Sequence, residues 1–357
     1  MTRVLALVPY PLERVGGQRY RIEQWQPLLA AADIELTYSP FLSRRGLDDL
    51  YGSASFARRA IHLAAGYARR LRQSLDPGPF DVVYLYREAA LLGGAWLEPL
   101  LAKRLPFILD FDDAIFLHPP VSINNRGAER LKWPGKTADL CRLARHVVAG
   151  NGFLASYARR FTEFVTVIPS TIDTDRYHAA PRPENARPVV GWTGSPTTAC
   201  YLALAAPALQ RLRREIDFEL RVIGADFQLP GVDTTVLAWN ADTEAADLRP
   251  LDVGLMPLDD DDWCRGKCGL KALQYMALGI PPVVSPVGFN TEIVVDGING
   301  LFARTQDEWV DRVLLLLRDP ELRARLGAAA RRTVEQQFSA RVQAPRMADV
   351  LRNAAVR

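Results

Sequence analysis

Twelve short apolar runs, six in each half of the chain, limit what this sequence can fold into. In the first half they are RVLALVP (3–9), IELTYS (34–39), DVVYLY (81–86), PFILDFD (106–112), HVVAGN (146–151) and VTVIPS (165–170). In the second half they are PVVGWTG (188–194), FELRVIGA (218–225), TTVLAW (234–239), VGLMPL (253–258), PPVVSP (281–286) and GLFA (300–303). Most are continuously apolar rather than alternating, as strands buried on both faces of a parallel sheet must be. Stretches with helical spacing, such as 88–104 and 197–215, fall between them. The order β-α-β-α, run twice, predicts two doubly wound α/β domains.

The stretch HAAPRPENARP (178–188) has three prolines, mixed charge and no periodicity, so it reads as the linker. Beyond residue 304 the pattern is helical, and the last segment fits a helix lying back across the first domain. The expected organisation is therefore 1–177, 178–338 and a C-terminal helix over 339–357. A chain of 357 residues, 48% hydrophobic and 24% charged, can bury two such cores. A net charge of +3 gives no ground for a nucleic-acid partner. No apolar run reaches the roughly 18 residues of a spanning helix. The opening MTRVLALVPYPLER reads as a first strand and not as a signal peptide, which predicts a cytoplasmic protein. Cys141, Cys200, Cys264 and Cys268 suit reduced thiols. The C-x3-C pair lacks two further zinc ligands nearby.

Open α/β sheets bind ligands beyond the carboxyl ends of their strands. Two such domains are expected to present those ends to each other across a cleft, and the polar motifs of this chain follow strands. After the first strand, Gly16 and Gly17 open a helix carrying Arg19 and Arg21. This suits an anion or acceptor contact, or is a plain glycine turn with surface arginines. After the first strand of the second half, Gly194 precedes Ser195, a good N-cap, and Pro196, a good first helical residue. Asp110, Asp112 and Asp113 crowd the end of another strand, where like charges raise one another's pKa. They suit sugar hydroxyls, a base, a cation or an acidic capping turn. The run LDDDDW (258–263) is a solvated loop or a cation site.

The segment GKCGLKALQYMALGIPPVVSPVGFNTEIVVDGINGLF (266–302) places Lys267 and Lys271 four residues apart, with Arg265 just before. On one helix face, two lysines that close are unfavourable unless an anion lies between them. Preorganised cations of this kind suit a leaving diphosphate whose charge grows as a bond breaks.

The run KALQYMALGIPPVVSPVG resembles the K-x-x-E-Y-x-A-x-G-x-P-V-V signature of retaining GT-B glycosyltransferases of the family 4, or group 1, type. VVGWTGSPTT, DFDDAIF and RYRIEQW look like a bacterial subgroup acting in polysaccharide and natural-product glycosylation. The resemblance covers essentially the whole chain and implies transfer of a sugar from a nucleotide-diphosphate donor. It places the donor on the second domain and a glycan, lipid-linked sugar or small-molecule acceptor on the first, with no bound divalent metal or other cofactor. Lys271 matches the lysine that neutralises the diphosphate, with Lys267 beside it. Gly194, Ser195, Arg265, Gln274, Asn290 and Glu292 fall in donor-binding positions. Asp112 falls near the transferred sugar, where many relatives carry a histidine. Gly16, Gly17, Arg19, Arg21, Asp110 and Asp113 fall on the acceptor side. Two family glutamates are absent, their positions being taken by Gly266 and Gln274. One of Asp259 to Asp262 would have to supply the missing carboxylate.

Residues 55–75 carry Phe56, Ile61, Ala64, Ala68 and Leu71 near one helical face, with Arg58, Arg59, Arg69, Arg70 and Arg72 elsewhere. Two readings fit: a core-facing helix with a solvated basic face, or a peripheral helix on an anionic membrane. Three activities fit the whole: a glycosyltransferase, a catalytically silent binding protein and a sugar-nucleotide epimerase. A dinucleotide dehydrogenase does not fit, because no G-x-G-x-x-G follows either first strand.

Overall fold

The computed structural model describes residues 1–117, 133, 135–178 and 185–356. Residues 179–184 of the expected linker lie outside that set. All twelve apolar runs are strands: β1 (Thr2–Val8), β2 (Ile34–Pro40), β3 (Val82–Tyr86), β4 (Phe107–Phe111), β5 (His146–Ala149) and β6 (Val165–Val167), then β7 (Val189–Thr193), β8 (Glu219–Ile223), β9 (Thr234–Leu237), β10 (Val253–Met256), β11 (Pro282–Val284) and β12 (Leu301–Phe302). They form two six-stranded sheets, ordered β2-β1-β3-β4-β5-β6 and β12-β11-β10-β7-β8-β9. Every pairing between these strands is parallel.

The chain divides into two compact units, residues 1–170 with 343–357 and residues 171–342. The C-terminal helix Ala340–Ala355 thus belongs mostly to the first unit. Arg346 donates to the Val167 carbonyl at 2.8 Å and Arg352 to that of Ala32 at 2.7 Å. The expected helix over 88–104 forms only as Glu98–Ala102. Arg87 and Gly93 just before it both take left-handed backbone angles, which stop a helix from running through.

In each sheet the strand order reverses at one place, between β1 and β3 in the first unit and between β7 and β10 in the second. At such a point the connections leave in opposite directions, and a crevice opens at the carboxyl ends of the strands. Gly16–Gly17 and Arg87 follow β1 and β3. Gly194–Ser195 and the 258–271 segment follow β7 and β10. The topology therefore puts these residues at the switch points.

The helix Leu270–Ala277 is held against the second sheet by one fully buried side chain. Tyr275 Oη accepts from the Thr193 amide at 3.0 Å and donates to the Leu255 carbonyl at 3.3 Å. Its ring lies over Gly254, where an added Cβ would come within 2.3 Å of ring atoms. We expect Gly254→Ala to push this helix off the sheet and cost about 1–3 kcal/mol, as overpacking of a full core does. A melting temperature equal to that of wild type would refute this account of the packing.

Candidate functional site

The first unit gathers its polar groups by strand alternation. Tyr84 and Tyr86 on β3 point to one face, as do Asp110 on β4 and Asp112 just past its end. Tyr84 Oη donates to Asp110 Oδ2 at 2.5 Å, and Tyr86 Oη donates to Asp112 Oδ1 at 2.8 Å. Each carboxylate also has an arginine. Arg21 reaches Asp110 Oδ1 through Nε at 3.1 Å and Nη2 at 2.6 Å, and its Nη1 donates to the Ile168 carbonyl at 2.6 Å. Arg87 binds Asp112 Oδ1 through Nε at 3.0 Å and Nη2 at 2.7 Å, and Asp113 Oδ2 at 2.6 Å.

Burial alone would push the Asp112 carboxyl up. The charges of Arg87 and Arg21, with hydrogen bonds from Arg87 and Tyr86, hold it below the usual carboxylate range. Gly17 closes the cluster, since a Cβ there would lie 2.9 Å from Tyr86 Oη, 3.3 Å from Asp112 Oδ2 and 3.4 Å from an Arg87 nitrogen.

The structure corrects three expected acceptor groups. Arg21 and Asp110 are fully buried and face each other, and Arg19 is buried with Nη2 donating to the Tyr20 hydroxyl at 2.6 Å. In this geometry Arg21 ties the first helix to Asp110 of β4 and to the Ile168 carbonyl just past β6 rather than facing an acceptor. Gly16, Gly17, Asp112 and Asp113 remain at the strand ends. Arg87 and Tyr86 were missed, although Y-x-Y-R against D-x-D-D carries the signal in its alternation.

In the second unit the two lysines do not share a helix as their spacing predicts. One helix, Asp262–Arg265, ends before Lys267. The next, Leu270–Ala277, begins after Gly269, whose φ of 64° breaks the run. Lys271 therefore sits in the first turn of the second helix and Lys267 in the link. Both are partly buried over aromatic faces. Lys267 Nζ lies 5.2 Å from the Tyr201 ring centre and 5.5 Å from that of Trp263, and Lys271 Nζ lies 5.4 Å from that of Trp192. Such ring faces are favourable seats for an ammonium.

Other backbone segments converge on the same place. A Cβ at Gly194 would strike the Trp192 ring at 2.5 Å and Thr198 Oγ1 at 2.7 Å. One at Gly288 would strike Arg265 Cα at 2.7 Å, and one at Gly269 would meet the Ile293 and Phe289 side chains. Ser195 is exposed and caps only a short turn, Pro196–Thr198, before the longer helix Ala199–Leu212. Its amide donates to Thr198 Oγ1 at 3.1 Å. Asn290 is buried, its Nδ2 donating to the Ser285 carbonyl at 3.0 Å, while its Oδ1 has no partner among the described residues. Glu292 is exposed on the adjoining short helix, and partial burial pushes its carboxyl up.

Gln274 points inward. Its Nε2 donates to Tyr177 Oη at 3.0 Å and to Glu244 Oε1 at 2.8 Å, and Trp239 Nε1 donates to the same oxygen at 2.8 Å. Glu244 is thus a buried carboxylate beside the position where the signature has glutamate, and nothing in its local sequence marked it. Three of the four aspartates offered as substitutes are engaged otherwise. Asp260 and Asp262 pair with Arg265, and Asp261 caps the helix that follows by accepting from the Cys264 amide at 2.7 Å. Among the described residues no group of three or more His, Cys, Asp or Glu could hold a metal ion.

The buried pair in the first unit gives a direct test. Arg21→Met should leave Asp110 buried without its cation and cost about 3–5 kcal/mol. Adding Asp110→Asn should recover much of that loss. Denaturant unfolding of both variants measures it, and no recovery in the double variant would contradict the pairing.

Residues 257–333 match the family model described as glycosyl transferases group 1. The chain is 28% identical over 312 residues to a D-inositol 3-phosphate glycosyltransferase of Arthrobacter sp. (strain FB24), covering 76% of this chain and 70% of that one. Among solved structures it is similar to sucrose-phosphate synthase from Thermosynechococcus elongatus, with a TM-score of 0.72 and 13% identity over 99% of both chains. It is also similar to Anabaena HepE in complex with UDP-glucose, with a TM-score of 0.68 and 14% identity over 99% of this chain and 100% of that one.

Proposed function

Starting from a GT-B-fold glycosyltransferase with a group 1 domain over residues 257–333, we propose that this chain moves a sugar, with retention, from a nucleotide-diphosphate donor to a glycan, lipid-linked sugar or small-molecule acceptor. The observation that carries the reading is the placement of Lys271 and Lys267 at the β7/β10 switch point, beside Gly194 and the Gly288–Asn290 loop. The diphosphate is held there, with Lys271 on the leaving group. As charge builds on the leaving phosphate, a lysine already seated over Trp192 stabilises it without reorganising. A compact ammonium suits one phosphate oxygen. Ser195, Arg265, Asn290 and Glu292 surround the donor.

On the first unit, Gly16, Gly17 and Asp113 bind the acceptor, with Asp112 beside them at the end of β4. The left-handed Arg87 ties both aspartates in place, through Nη2 to Asp112 at 2.7 Å and to Asp113 at 2.6 Å. Gln274 acts through Glu244, which supplies the carboxylate that the signature position lacks.

Removing Lys271 should hurt the transition state more than the bound substrate, because the leaving-group charge grows along the reaction. We expect Lys271→Ala to lower kcat by on the order of 10²- to 10³-fold with little change in melting temperature, and Lys267→Ala to do the same more weakly. Wild-type turnover in Lys271→Ala, or activity lost only through unfolding, would overturn the assignment. The donor class is identified first, as the nucleotide sugar that raises the melting temperature most.

The two lysines also take the part a divalent cation plays at other diphosphate sites. Turnover should therefore survive a strong chelator. Complete loss on chelation, restored by Mg²⁺ or Mn²⁺, would refute the metal-independent mechanism.

A further inference from the structure

The helix Phe56–Leu75 of the first unit is oriented against the usual amphipathic sense. Its buried residues are Gly66, Arg70 and Ser74. Gly66 lies against Phe41, where a Cβ would come within 2.8 Å of the ring. Leu63 and Tyr67 pack inward on the cluster of Phe41, Leu42, Leu47, Ala90 and Leu97, but a second set of apolar residues faces outward. Phe56 is 87% exposed, Ile61 66%, Leu75 51% and Leu71 38%, while Ala57, Ala64, Ala65 and Ala68 are also exposed. At 100° per residue, Ala57, Ile61, Ala64, Ala68, Leu71 and Leu75 fall in one outward stripe. Arg58, Arg69 and Arg72 are exposed along one flank of it. The helix has five arginines and no acidic residue. Its inner edge continues into further exposed aromatics. The Tyr67 ring stacks on Trp96 at 6.0 Å, and Trp133 lies over Gly94, with Trp96 48% and Trp133 63% exposed. Among the described residues no helix is long and apolar enough to cross a membrane.

We propose that this face docks on an anionic lipid bilayer, lying in the headgroup region without crossing it. Two independent features select that partner. An outward apolar stripe gains by entering the acyl boundary, and an arginine flank gains from anionic headgroups. Exposed tryptophans at its edge have the amphipathic ring that prefers the membrane–water interface. An acidic protein partner would suit the arginines but would not require so long an apolar stripe. A second copy of the chain would bring the two arginine flanks together with no acid on the helix to offset them.

The test is cosedimentation with vesicles of phosphatidylcholine alone and of phosphatidylcholine mixed with phosphatidylglycerol, beside size-exclusion chromatography. The wild-type chain should bind the anionic vesicles, bind plain phosphatidylcholine far more weakly, and release as salt is raised. I61E/L71E should lower the partition coefficient at least about tenfold, since two apolar side chains no longer enter the bilayer. Arg69→Gln and Arg72→Gln should lower it about fivefold each. These positions are exposed, so melting temperatures should match wild type. The proposal is overturned by no binding to anionic vesicles, or by unchanged binding in I61E/L71E. It is equally overturned if the wild-type chain is a dimer in solution that I61E/L71E turns into a monomer, which would make the stripe a contact between copies.

Discussion

Parallel pairing is the constraint on which everything else in this molecule depends. Because every pairing between named strands runs the same way, all strands of a sheet end at one edge. Side chains inside the sheets must be apolar, since both faces are covered. Polar and charged residues are therefore confined to the strand ends and the loops that follow. The switch points in the strand order decide which of those loops are splayed apart. The molecule's chemistry is concentrated at Gly17, Arg87, Asp112 and Asp113 in one unit and at Gly194, Lys267 and Lys271 in the other because few other places can hold it.

The two units answer the cost of partly buried charge in opposite ways. In the first, each aspartate is neutralised locally by an arginine and a tyrosine hydroxyl, so that Asp110 and Asp112 come with complete sets of donors. Such a cluster is rigid and has little net charge to offer. In the second, the lysines lie over aromatic faces. Asp260 and Asp262 are spent on Arg265 and Asp261 on a helix cap. A ring face adds a favourable seat for an ammonium at the mouth of the strand ends.

The strands were legible because continuous apolar runs bounded by glycine, proline and polar residues have few other meanings in a chain this long. The switch points were not, because the order of strands within a sheet is set by pairing across the chain and differs between the two units. What the sequence concealed was direction. Arg21 read as an anion contact or surface group after a glycine turn and Asp110 as part of an acidic cluster, yet they meet inside because residues 89 positions apart are brought together by β4 and the first helix. Lys267 and Lys271 read as one helical face, yet the left-handed Gly269 divides them. Glu244 lies 30 positions from Gln274 and had no local mark at all. Periodicity reports on neighbours along the chain, and each of these facts concerns neighbours across it.

The Phe56–Leu75 helix shows the same limit from the other side, because its periodicity was legible and its orientation was not. A core-facing reading would put the apolar stripe inside. The reverse holds because the helix covers a place where backbone carbonyls need donors. Arg70, buried among them, donates to the carbonyls of Val8 at 3.0 Å, Ser39 at 2.7 Å and Ala89 at 2.8 Å, and to Ser39 Oγ at 2.9 Å and Gln73 Oε1 at 2.8 Å. Burial, with the neighbouring Arg69 charge, pulls its pKa down to about 9. A guanidinium, with five donors in a fixed plane, can satisfy that many acceptors at once, and a leucine in its place could satisfy none. Val8 and Ser39 stand at the ends of β1 and β2, and Ala89 lies just beyond β3. Arg70 thus draws this face of the helix inward to the strand ends beside the switch point, with Leu63 and Tyr67 packed next to it, and the stripe of Ala57, Ile61, Ala64, Ala68, Leu71 and Leu75 is left facing out.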